Sequence, residues 1–224
     1  MAVVFTDNFT VGADINIESY PSGSPDYALI RGTAGDMKVV AASDDVRETT
    51  FGQITHIARI TDASVPTGDQ EITGQCHNGT LNNDAGGLAV RFATDNTING
   101  YTCRFQDASV NELEILRWDA GTPSVVASAD RGLSGAAVRT HVLKAEGNGA
   151  TVTITFTCDG TAALVFADSS ADRKTAGTPG IHVLAQTDAS NGRVDTISVD
   201  DLVAAADTDG GGPRTFAAFV PGFP

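Results

Sequence analysis

Glu112-Leu113-Glu114 carries two carboxylates at alternate positions of a strand-like run, and alternate residues of a strand point to the same face. A close acidic pair is the equipment of retaining glycosidases. Two acids on a solvated strand face are also ordinary sheet surface, and the reading adopted is non-catalytic. The four histidines, His56, His77, His141 and His182, include no close-spaced pair and no neighbouring Cys-x-x-Cys, so zinc has no support in the sequence. They are expected at core edges or on the surface. No serine sits in a Gly-x-Ser-x-Gly elbow. Cys76, Cys103 and Cys158 are widely separated in strand-like contexts and are expected as buried free thiols. Carbohydrate binding usually shows aromatic platforms on loops or on one sheet face, and aromatics outside the apolar runs are few. Trp118, the one tryptophan, ends a strand just before a turn and can either be exposed there or cap the core. With Tyr101 it forms the candidate ligand-binding pair.

These residues depend on Gly86 to Trp118, which reads as three successive antiparallel strands. In the first, Leu88, Val90 and Phe92 alternate with Ala89, Arg91 and Ala93; Tyr101 to Gln106 and Glu112 to Trp118 follow. Period-two alternation bounded by Asn, Asp and Gly marks half-buried strands. Further short strands are expected at 3–9, 27–31, 36–42, 51–61, 71–77, 123–129, 139–146, 151–158, 162–167, 180–186 and 195–203. Asp159-Gly160 is a tight-turn signal. About a dozen short strands with turns between them predict an all-β sandwich or jelly roll.

The formal charge of −14, from 28 acidic and 14 basic residues, excludes a nucleic-acid binder, which needs clustered Lys and Arg. No apolar run approaches a membrane span. The N-terminal MAVVFTDNFTVG has no basic region and no long apolar run, so no secretory signal is expected.

The order of the pieces resembles the concanavalin A-like, laminin-G-like jelly roll over about residues 3 to 203. The pieces are FTDNF at 5–9, GLAVRF at 87–92, NGYTCRF at 99–105 and LEILR at 113–117. After them come VLKAEG at 142–147, TITFTCDG at 153–160 and a closing VDTISVDDL at 194–202. The resemblance implies an all-β, two-sheet antiparallel sandwich with Leu88, Val90, Phe92, Leu113, Ile115, Leu143, Ile154 and Phe156 between the sheets. Laminarinase-type members carry three acids at alternating positions of one strand; here Leu116 or Arg117 breaks that pattern. Members often tie their first and last strands together with calcium, and Asp7, Asp200 and Asp201 stand at the matching places. Hard oxygen ligands suit that ion. No cofactor is otherwise required.

After residue 203 the composition changes. Residues 204–212 read as a Gly-rich linker, and 213–224 as an apolar docking tail with Phe216, Phe219, Val220 and Phe223. A loose terminus is normally polar, so this one is expected to dock on its own sandwich, on another copy or on a partner. A catalytically empty, acidic jelly roll with such a tail looks like a phage virion protein. The expectation is therefore a non-enzymatic structural or adhesive module of a virus particle: a capsid decoration, head-fibre or tail component. It would form a homo-oligomer or join other virion proteins, with host surface glycans as possible ligands. The alternative is a carbohydrate-binding, lectin-like module, and the third reading a glycanase.

Overall fold

The structure, a computed structural model, describes residues 2–21, 26–49, 55–78, 85–95, 97–106, 112–133, 137–184 and 192–202. The tail and its linker lie outside them. Sixteen strands and one 3-10 turn, Ile17–Ser19, make up the regular structure of these residues. The strands are β1 (Ala2–Asp7), β2 (Ile15–Asn16), β3 (Tyr27–Arg31), β4 (Met37–Val40), β5 (Asp45–Glu48), β6 (His56–Ile60), β7 (Gln70–Asn78) and β8 (Ala85–Phe92). Then follow β9 (Gly100–Gln106), β10 (Glu112–Asp119), β11 (Thr122–Asp130), β12 (Ala137–Glu146), β13 (Val152–Cys158), β14 (Leu164–Asp168), β15 (Thr178–Leu184) and β16 (Arg193–Asp201).

All pairings are antiparallel and fall into two layers. The first sheet has the order β11-β10-β9-β8-β15-β6-β3, and the second β14-β13-β12-β7-β16-β1. Hydrogen bonding is continuous between the layers, because β7 meets β8 at the single pair Asn78–Ala85. A small ribbon, β5-β4-β2, hangs from the start of β16. Its strand β5 was not expected, because Asp45-Val46-Arg47-Glu48 lacks an apolar alternation.

Alternation decides which side chains enter the core. Leu88, Val90, Cys103, Leu113, Ile115 and Ile181 from the first sheet meet Ile72, Leu143, Ile154, Phe156, Cys158 and Val199 from the second, all with no accessible surface. Burying each large aliphatic side chain contributes about 1.5–3 kcal/mol. Cys76, Cys103 and Cys158 are buried free thiols, and burial holds all three well above the usual thiol range.

One core expectation is corrected. Phe92 leaves the inter-sheet space because Arg91 adopts a left-handed backbone, φ 56°, where the β8–β15 register also slips. The extra residue turns Phe92 to the outer face of the first sheet, where it joins Ile57, Ala89 and Trp118. Arg91, expected on a solvated face, is instead fully buried. Its guanidinium donates to the Gly147 carbonyl at 2.7 Å and to Asp69 at 2.9 Å, tying together the loops at one end of the sandwich.

The hairpin β10-β11 turns on Ala120-Gly121, both with positive φ (47° and 85°), which gives a two-residue turn matched to strand twist. Pro123 therefore pairs with Trp118 at a non-hydrogen-bonded position, its nitrogen facing the free edge of β11. Three residues on, Val126 is an extra residue opposite the Ile115–Leu116 step.

Candidate ligand-binding face

The outer face of the first sheet is the candidate site. Pairing lines up one row of residues across six strands: Arg31, Ile57, His182, Gly87, Arg104 and Glu114. The next row runs Arg59, Gly180, Ala89, Thr102 and Leu116. Trp118 lies one row further, beside Gly100.

Two glycines draw these strands unusually close. A Cβ on Gly180 would lie 2.3 Å from the Ala58 carbonyl oxygen, and one on Gly87 would lie 2.1 Å from that of Cys103. The sheet also curls. Arg31 on β3 and Trp118 on β10 are separated by β6, β15, β8 and β9, a span of roughly 24 Å along a flat sheet. Yet the Arg31 guanidinium sits 4.9 Å from the centre of the Trp118 ring and donates from Nη1 to the Gly121 carbonyl at 2.9 Å. Only a strongly concave face brings those edges together.

Polar groups gather under this curled face, where most are almost wholly enclosed. The Trp118 indole N–H donates to the Thr102 hydroxyl at 2.9 Å. Arg104 Nε meets Glu114 Oε2 at 2.6 Å in a nearly buried ion pair. His182 is 1% accessible, and its ring lies against the Cys103 backbone with no side-chain hydrogen-bond partner among the described residues. Burial, reinforced by the charge of Arg104, pushes its pKa down to about 3, so the imidazole is neutral at pH 7. A groove of about 560 Å³ opens beside the face, lined by Glu18, Tyr27, Ile30 and Gly32. The Glu18 Oε1 accepts from the Gly35 N–H at 2.9 Å, while Oε2 is buried without a partner among the described residues.

The residues singled out in the sequence are distributed differently from expectation. Trp118 does face outward from the main core, but its ring has no accessible surface, so it is not an open platform. Tyr101 points inward from the same sheet. It is fully buried and donates to Asp168 at 2.7 Å, with its pKa raised by burial and by that hydrogen bond. As a surface ligand contact it is corrected. Glu112 and Glu114 share a face as expected, but Glu114 is neutralised by Arg104, which removes the free acidic pair a retaining hydrolase needs.

The three candidate calcium aspartates do not converge. Asp201 pairs with Ala2 and Asp200 with Val3, whereas Asp7 pairs with Ile197 at the other end of β1, roughly 16 Å away. The Asp7 carboxylate instead accepts from the Phe9 N–H at 2.8 Å and from the hydroxyls of Tyr20 and Tyr27 at 2.8 and 2.9 Å. It anchors an aromatic cluster rather than an ion shared with β16. Among the described residues no group of three or more His, Cys, Asp or Glu is arranged to hold a metal. His56, His141 and His182 are buried, contrary to the expected surface or core-edge placement. Phe216, Phe219, Val220 and Phe223 lie outside the described residues.

Arg31, Thr102, Arg104 and His182 were missed in the sequence. Thr102 and Arg104 alternate with Tyr101, Cys103 and Phe105, and His182 stands between Ile181 and Val183. Those offsets mark the outer face, but nothing in them signals that the face is hollow.

No protein-family model and no curated protein matches the chain by sequence. Its fold does match solved structures. A Bacillus subtilis protein of unknown function with a galectin-like fold aligns at TM-score 0.60 and 10% identity, covering 89% of this chain and 96% of that one. The exoplasmic/lumenal domain of VIP36, in a form bound to Ca2+ and Man3GlcNAc, aligns at TM-score 0.52 and 9% identity over 84% and 91%. The Bacillus licheniformis GH43 protein BlXynB aligns at TM-score 0.54 and 11% identity over 87% of this chain, which spans 38% of that protein. At these identities the likeness is one of fold: the chain folds as a two-sheet, antiparallel jelly roll.

Proposed function

We propose that the protein is a non-catalytic, glycan-binding module whose concave first sheet receives the sugar. The observation that carries this reading is the polar row Arg31, Arg104 and Glu114 across the curled outer face of the first sheet, with Trp118, Thr102 and His182 enclosed rather than open to a ligand. Sugars are recognised by polar side chains that exchange hydrogen bonds with hydroxyls. The jelly-roll likeness to a sugar-bound lectin domain is consistent with it. Glu114, locked to Arg104, serves as a hydroxyl acceptor rather than as an acid. Titration against a panel of immobilised glycans, with calcium and with EDTA, is the test. Saturable binding that survives EDTA is expected, because the aspartates that would have held the ion are dispersed. A folded protein that binds no glycan sinks the reading.

A second reading concerns the tail. Phe216, Phe219, Val220 and Phe223 beside a lone Arg214 form an apolar terminal segment that favours assembly, with another copy or with particle proteins as the partner. The structural likenesses add nothing to a virus-particle origin. The tail reading is compatible with glycan binding, and solution mass with and without the tail tests it.

A further inference from the structure

Strand β3 borders the first sheet and pairs only with β6. The groove of about 560 Å³ is lined by four of its successive residues, Tyr27 to Ile30, and by Gly32, with Glu18 and Ala34 completing it. Alternate side chains of a strand point to opposite faces, so four in succession line one groove only from the strand's free edge. Ala28, Leu29 and Ile30 are all partly exposed there, and a bare apolar edge is a surface that proteins ordinarily cover. Glu18 is the one charged side chain in the lining. Its Oε1 accepts from the Gly35 N–H at 2.9 Å, and its Oε2 has no partner among the described residues. The side chain as a whole is only partly buried, so the carboxylate can turn towards the groove. The apolar tail carries a single charge of the opposite sign, Arg214, ahead of Phe216, Phe219 and Val220.

We propose that residues 214–220 of a neighbouring copy fill this groove, with Arg214 against Glu18 and the apolar side chains over Ala28, Leu29 and Ile30. This rests on the assembly reading of the tail and names the surface that receives it. The lengths agree: from Gly32, beside the Glu18 end, to Tyr27 is five residues or roughly 16 Å of strand, the same step as Arg214 to Phe219. The charge match also sets direction, because the tail enters at the Gly32 end and runs antiparallel to β3. Thr61 N–H donates to the Asp26 carbonyl, so the alternation of the ladder points the backbone groups of Tyr27 and Leu29 away from β6, towards the incoming chain. Ile30, at the register slip, ends that short pairing. The chain's own tail leaves from the opposite end of the groove. Asp201 pairs with Gln70, whose side chain reaches the Gly177 carbonyl at the start of β15, and β15 leads through β6 to Tyr27. A chain filling its own groove has to run its linker past the whole groove and reverse, whereas a neighbour's tail enters at the Gly32 end directly.

The test is the solution mass of the full chain by light scattering over a dilution series. The wild type should be an oligomer. Arg214→Glu, which leaves the sandwich untouched, should weaken assembly at least about tenfold, the scale of one hydrogen bond to a charged group. Glu18→Lys should do the same, and the two changes together should restore the oligomer. Glu18→Gln, which keeps an acceptor for the Gly35 N–H, guards against a folding defect and should also weaken assembly. In a second arm, a labelled peptide of residues 213–224 is titrated by anisotropy into full-length Arg214→Glu, where saturable binding is expected, and into the Glu18→Lys, Arg214→Glu double variant, where it should be lost. An oligomer indifferent to all these changes overturns the proposal while the assembly reading stands, and so does failure of the double change to restore it. A wild type that is monomeric at every concentration removes the assembly reading itself; peptide binding in that case assigns the groove to the chain's own tail and overturns docking between copies.

Discussion

At the scale of single residues, the buried histidines give the protein a built-in sensitivity to acid. His141 stands on the core side of β12 with its ring 5.1 Å from that of Phe156, and neither nitrogen has a hydrogen-bond partner among the described residues. Burial, with a smaller push from Arg139 against the pull of Asp159, lowers its pKa to about 3; His182 is lowered to about 3 as well. In the unfolded chain both return to about 6.5. Between those values the unfolded state binds more protons than the folded one, so stability falls as the pH drops from about 6.5 towards 3. Each histidine contributes up to about 1.4 kcal/mol per pH unit to that slope. Urea midpoints measured across this range should decline steeply with acid, and His141→Leu should flatten the decline. The histidine positions in the sequence show none of this. His141 alternates with Leu143 and Ala145 and so belongs on the apolar side, but in isolation it reads as a tolerated edge residue. What makes it a liability is complete enclosure, which depends on the second sheet.

At the scale of elements, strand existence and facing were legible, and departures from ideal strand geometry were not. Alternation in 87–93, 101–106 and 112–118 located β8, β9 and β10 and sorted Leu88, Val90, Leu113 and Ile115 to the core. It misplaced Phe92, because an Arg in the left-handed region has no sequence signature as a Gly would. Curvature was equally invisible, although it creates the candidate site: a flat sheet with the same residues would leave Arg31 far from Trp118. Close strand approach is part of that curvature, and it can be tested. A methyl on Gly180 meets the Ala58 carbonyl oxygen at 2.3 Å and the Arg59 Cα at 2.9 Å, both backbone atoms that cannot rotate away. Gly180→Ala should therefore cost about 1–3 kcal/mol, the range for overpacking. It should also disturb Trp118 emission, because β15 would be forced from β6 and the hollow would open. A Gly→Ala change at Gly149, where nothing lies within 4 Å, serves as the control.

At the scale of the whole molecule, the two-layer jelly roll was anticipated from seven sequence pieces in a familiar order, and the ladders bear out the two-sheet, antiparallel arrangement. The working surface was not, because the sequence directed attention to Trp118 and Tyr101 as exposed rings and to aspartates at the strand ends. The tail is the remaining large-scale element. An assembly strap predicts that the full chain is an oligomer by light scattering and that a chain stopped at Asp209 is a monomer. Two monomers would assign the tail to self-docking or to a different partner.

Pro123 and Val126 on β11 bear on how copies of this molecule can meet. An outermost strand nine residues long, with its only charge in the final residue, Asp130, is the sort of border on which fibres nucleate. Here an imino nitrogen with nothing to donate and a one-residue kink three positions later break the line of groups that an incoming strand would have to match. Pairing of β11 with a strand of another copy is therefore disfavoured along this border.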